Sequence, residues 1–157
     1  MKLFGYAPWL ALPFVALSMA ANAGERQPIE AQKGIELWQR YCMSYSSDYR
    51  DIVRFFKTFN EFEEVQDGWF SAKKIAFDVG FMLFEEGGRG PCTVVFVPAE
   101  GVDEAQYLLE KQIYALDSNA FKNREGQFQF VLMASRFNVI PLFDAKENTA
   151  SLTLIRE

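Results

Sequence analysis

Apolar residues from Ala31 onward recur at helical spacing. Ala31, Ile35, Trp38 and Cys42 fall at i, i+4, i+7 and i+11, with Leu37 and Tyr41 widening the stripe. This predicts an amphipathic helix that turns Cys42 inward. After the polar run from Ser44 to Asp48, a second stripe of Tyr49, Ile52, Val53, Phe56, Phe59 and Phe62 predicts another helix ending before Asp67 and Gly68. From Ile75 to Phe84 the period changes to two, and the β-branched and aromatic content favours a strand. A helix there, capped by Ser71, would carry Gly80 in its middle at a cost of about 1 kcal/mol.

Gly87 to Pro91 reads as turn chemistry and Cys92 to Val97 as a second strand, so a hairpin accounts for the stretch. Asp103 caps a helix in which Ala105, Leu108, Leu109, Gln112, Ile113 and Leu116 keep 3.6-residue spacing. Phe128, Phe130 and Leu132 alternate with Gln127, Gln129 and Val131 in a strand expected to reach about Phe137. A further short strand, Val139 to Phe143, is interrupted by Pro141. Leu152 and Leu154 mark a closing strand. The order ααββαββ predicts an α+β fold: two N-terminal helices, a β-hairpin, a third helix and a C-terminal antiparallel β unit. The helices should pack on one face of a mainly antiparallel sheet.

The first 23 residues follow a different logic. Lys2 precedes an uncharged run from Leu3 to Leu17, and Ala21-Asn22-Ala23 gives the small-x-small pattern accepted by signal peptidase. Residues 1–23 are therefore expected to be a secretory signal peptide and residues 24–157 a single domain, with Gly24 to Pro28 as a short tail. The apolar run contains Pro8 and Pro13 and is shorter than the roughly 20 residues that span a bilayer. Localisation is expected to be periplasmic or secreted, without membrane insertion after signal removal.

Charge and missing residue types narrow the chemistry. Loss of Lys2 leaves 15 Lys and Arg against 21 Asp and Glu, a net charge of −6, which disfavours nucleic acid as a partner. The sequence contains 0 His, so zinc hydrolase sites and Ser-His or Cys-His nucleophiles are excluded in their usual form. No cofactor or metal is expected. The 2 cysteines, Cys42 and Cys92, are expected to form a disulfide in an oxidising compartment.

Three features could carry function. Gly87-Gly88-Arg89-Gly90 superficially resembles a phosphate loop, but Pro91 and a strand follow it where a Lys-Ser or Lys-Thr pair and a helix are needed. Asp78 lies within an apolar strand with Glu85 and Glu86 beyond it, an acidic set that could in principle serve hydrolysis. Trp69 and Phe70 follow Asp67-Gly68 in what reads as a connection, with Lys73 and Lys74 beside them, and are candidates for contact with a partner or ligand. The expectation is a small binding protein without catalysis, partnered by another protein as an inhibitor, immunity or assembly factor. The alternatives are a carrier of a small apolar ligand in an aromatic-lined pocket and a carboxylate-based hydrolase.

Overall fold

A computed structural model describes residues 26–43, 49–82 and 90–157. These residues form helices α1 (Ala31–Cys42), α2 (Tyr49–Phe56) and α3 (Val102–Leu116). Strands β1 (Phe62–Gln66), β2 (Trp69–Ala72), β3 (Phe77–Phe81) and β4 (Cys92–Phe96) precede α3. Strands β5 (Phe121–Lys122), β6 (Phe128–Leu132), β7 (Ser135–Asp144) and β8 (Thr149–Arg156) follow it. All eight strands join one antiparallel sheet in the order β1-β2-β3-β4-β8-β7-β6-β5. The sheet is thus two meanders joined where β4 pairs with β8. Helix α3 carries the chain from the centre to the far edge, and the fold is α+β with helices packed on the sheet.

The helices cover one face because each strand sends alternate residues toward them. Phe77, Val79 and Phe81 of β3, Val94 and Phe96 of β4, and Leu152 and Leu154 of β8 belong to the same buried cluster as Ile35 and Trp38 of α1 and Leu109 and Ile113 of α3. Phe56 sits among aromatic rings, with centroids 4.9 Å from Tyr41, 5.1 Å from Phe70 and 5.5 Å from Phe81. Gly34 lets α1 approach closely, since a Cβ there would run into the Phe96 ring. Cys42 at the end of α1 is bonded to Cys92 at the start of β4, with the Cα atoms 5.4 Å apart and the two residues 50 positions apart in sequence. The chain-entropy view assigns such a link about 4 kcal/mol.

Four sequence expectations change. The second helix stops at Phe56, and Phe62 opens an edge strand whose other residues are exposed. The i, i+3 spacing of Phe56, Phe59 and Phe62 continues across that break and imitates a longer helix. The expected strand over 128–137 is a hairpin, because Met133 and Ala134 adopt φ of 49° and 62° and reverse the chain between Leu132 and Ser135. Pro141 does not interrupt β7, which pairs with β8 from Phe137 to Asp144. Of the expected tail, Arg26 to Pro28 are described and are held against the fold: Arg26 is buried, Gln27 makes an isolated bridge to Ile75, and Ile29, the next residue, bridges Pro98 and is buried.

Candidate functional site

The second face of the sheet carries no helix among the described residues, and the sequence-predicted candidates divide between the two faces. In β2, Phe70 and Ala72 point toward the helices and are buried, while Trp69 and Ser71 alternate to the open face. The reading of Trp69 and Phe70 as a connecting pair is therefore corrected. Both lie in a strand, Asp67 and Gly68 form the β1–β2 turn, and Phe70, 1% exposed, is core. Trp69 stays half-buried. Its indole covers Gly80, its partner across β2 and β3, so completely that a Cβ on that glycine would overlap the ring. Lys73 and Lys74 are exposed just after β2 and form no ion pair among the described residues.

Beside Trp69, in the neighbouring row, Asp78 is bound rather than free. Arg26 Nη1 donates to Asp78 Oδ1 and to Ser71 Oγ at 2.6 Å each, and Ser71 Oγ donates to the same carboxylate oxygen at 2.6 Å. The side chains of Arg26 and Asp78 are 6% and 3% exposed. Burial of both charges requires this pairing, since either one alone would bear the full desolvation penalty. Arg26 Nε has no acceptor. Glu85 and Glu86, the other members of the predicted acidic set, lie outside the described residues, as do residues 1–23 and Gly87-Gly88-Arg89.

The open face continues across β4, β8, β7 and β6. Thr93 and Thr153, cross-strand partners, share a hydroxyl hydrogen bond of 2.8 Å. Ile140 and Ile155 are half-buried, Leu142 is 66% exposed and Val131 51% exposed. Charge is sparse in this stretch: Arg136 opposes Val131 and is held by Glu157 at 3.5 Å. The arrangement offers a broad, twisted surface of apolar side chains interspersed with hydroxyls and the amides of Asn138 and Gln129, which are bonded to each other at 3.1 Å.

Sequence reasoning missed Arg26, Ser71 and the Ile140–Leu142 pair. Ile140 and Leu142 do alternate with Pro141 and Phe143, but all four are apolar, so the sequence does not distinguish the open face from the covered one. Arg26 could be found only through its partner, 52 positions away.

At the far end, Asp117 closes an edge. Its carboxylate accepts the N–H of Val131 and of Asn119, both at 2.9 Å, and these bonds hold its pKa below the ordinary aspartate value. Tyr41 moves the other way, raised by burial. Among the described residues no group of His, Cys, Asp or Glu is placed to hold a metal ion, and no helix is long and apolar enough to cross a membrane. No protein-family model, curated protein or solved structure matches the chain, so the arguments for function rest on its own residues.

Proposed function

We propose that the chain is an exported binding protein that meets a protein partner through the open face of its sheet. The observation that carries this reading is the set of accessible apolar side chains on a face without helices among the described residues: Trp69 toward one edge, and Ile140, Leu142 and Val131 beyond the Thr93–Thr153 pair. An aromatic side chain on one side, hydroxyls in the middle and aliphatic groups on the other, with few exposed charges, is a composition that suits an interface. Export is supported by the Ala21-Asn22-Ala23 pattern and by the Cys42–Cys92 bond, which suits an oxidising compartment.

The alternatives draw less support from the geometry. An open cleft beside α3 has a volume of about 140 Å³, below the roughly 300 Å³ at which small-molecule pockets begin. Asp78 is committed to Arg26 and Ser71. The test is a capture experiment with residues 24–157 as bait against cell-envelope extract, with wild type and Trp69→Ala compared. A partner retained by wild type and weakened by about 2 kcal/mol or more in the variant supports the reading. Equal retention by both removes Trp69 from the interface.

A further inference from the structure

β7 is longer than the strand that covers it. The Arg136 carbonyl accepts the N–H of Glu157 at 3.0 Å, so antiparallel alternation turns the amides of even-numbered β7 residues toward β8 and those of odd-numbered residues toward β6. Strand β6 meets the first three of these, pairing Leu132 with Ser135, Phe130 with Phe137 and Phe128 with Val139. Pro141 and Phe143 face the same way with no strand beside them among the described residues. Pro141 fits that position because it has no N–H to leave unpaired. Phe143 leaves both its N–H and its C=O at an open edge.

The cleft beside α3 opens at this notch. Its floor is Leu109, Phe128, Pro141 and Phe143, and Gln106, Lys122 and Glu125 stand at its rim. A volume of about 140 Å³ is close to that of an apolar cavity, about 150 Å³, that accepts benzene, so it suits one branched aliphatic or aromatic side chain. The rim charges are unequal in effect. Lys122 is neutralised by Glu110 at 2.8 Å and lies over the Phe128 ring at 5.2 Å. Glu125 is exposed and makes no ion pair among the described residues, so the rim favours a cation.

We propose that this notch is a docking site for an extended peptide segment of a partner protein, continuing the line of β6 along Pro141–Phe143. The segment bonds to the Phe143 backbone, seats one apolar side chain in the cleft and sets a lysine or arginine against Glu125. This surface is distinct from the open face, since Leu142, between Pro141 and Phe143, turns to the other side of the sheet. It therefore stands or falls independently of the proposed role of Trp69.

The probe is a capped synthetic peptide, Thr-Lys-Thr-Leu-Thr-Lys-Thr, titrated into ¹⁵N-labelled residues 24–157, with a second peptide carrying Asp in place of Leu as control. The lysine-leucine peptide is expected to give saturable amide shifts at Phe143, Gly126 and Phe128, and to slow exchange of the Phe143 amide. Glu125→Lys should weaken it by at least about threefold through the lost rim attraction. Gln106→Trp, which fills the mouth from an exposed position, should abolish the saturable shifts. Absence of shifts at Phe143, equal binding of the Asp peptide, or unchanged binding in either variant would overturn the proposal.

Discussion

Trp69 and Phe70 are neighbours in sequence and sit on opposite faces of the sheet, and their surroundings show how differently the two faces are built. Phe70 is enclosed by α2 and stacks near Phe56, so its area is spent entirely on folding. Trp69 rests on a glycine and keeps part of its ring in water. On the covered face, stability comes from close packing of aromatic and aliphatic groups. On the open face, the buried elements include the Arg26–Asp78 charge pair and Val95 beside it, Trp69 lies over main chain, and the large apolar groups farther along remain accessible. The covered face makes the domain, and the open face is where side chains are left with contacts to make.

Substitutions at these two positions should separate the faces most clearly. Phe70→Ala empties a fully buried site and should cost about 3–5 kcal/mol in chemical denaturation. Trp69→Ala should cost less, about 2 kcal/mol, because part of the ring is already in water and truncation exposes less buried area. Comparable losses at both positions would mean that the open face is packed as tightly as the core.

Next in size is the Arg26–Asp78 pair. Asp78→Ala should destabilise by about 3 kcal/mol, since the Arg26 guanidinium is left buried without a counter-charge. The double variant Arg26→Met/Asp78→Leu should recover most of that loss, as replacing both charges removes both desolvation costs. A double variant no more stable than Asp78→Ala would show that the pair contributes specific geometry beyond charge balance.

Much of the covered face was legible in the sequence, and the open face was not. The stripe Ala31, Ile35, Trp38 and Cys42 gave α1 its bounds and its buried side, and the spacing around Leu109 gave α3 its buried side and its end, because a helix against a core leaves a polar side to contrast with; its start lies at Gly101 and not at the expected cap Asp103, which falls in the first turn. The cysteine pair followed from count and compartment. The edge strand β1 was hidden because only Phe62 turns inward among exposed neighbours, so its period of two never develops. The β6–β7 turn was hidden because Met133 and Ala134 lack the Asn or Gly that usually announces positive φ. The Arg26–Ser71–Asp78 cluster joins two neighbouring strands to a residue more than 40 positions earlier in the chain, and local periodicity carries no information about it.

The smallest expected effect lies at the sheet edge, where Asp117 is exposed. Its folded pKa is depressed by two backbone N–H bonds, so its contribution is present above the unfolded value of about 3.9 and disappears as pH falls through the lower folded value. Thermal midpoints of wild type and Asp117→Asn should differ slightly at neutral pH and converge in acid. A gap that stays constant down to pH values well below the aspartate range would mean the two hydrogen bonds do not set the edge.

The central proposal is that the captured partner meets the open face of the sheet and not the exposed side of α3 around Tyr107. Leu142 and Tyr107 allow a matched comparison, being 66% and 61% exposed on the open sheet face and on α3 respectively. Their aspartate variants should leave stability within about 0.5 kcal/mol of wild type. The decisive measurement is the affinity of each variant for the partner captured by wild-type protein. Leu142→Asp should weaken binding at least about tenfold, near 1.4 kcal/mol, while Tyr107→Asp binds as wild type. Loss of affinity in Tyr107→Asp with none in Leu142→Asp would contradict the account and move the interface to the helices.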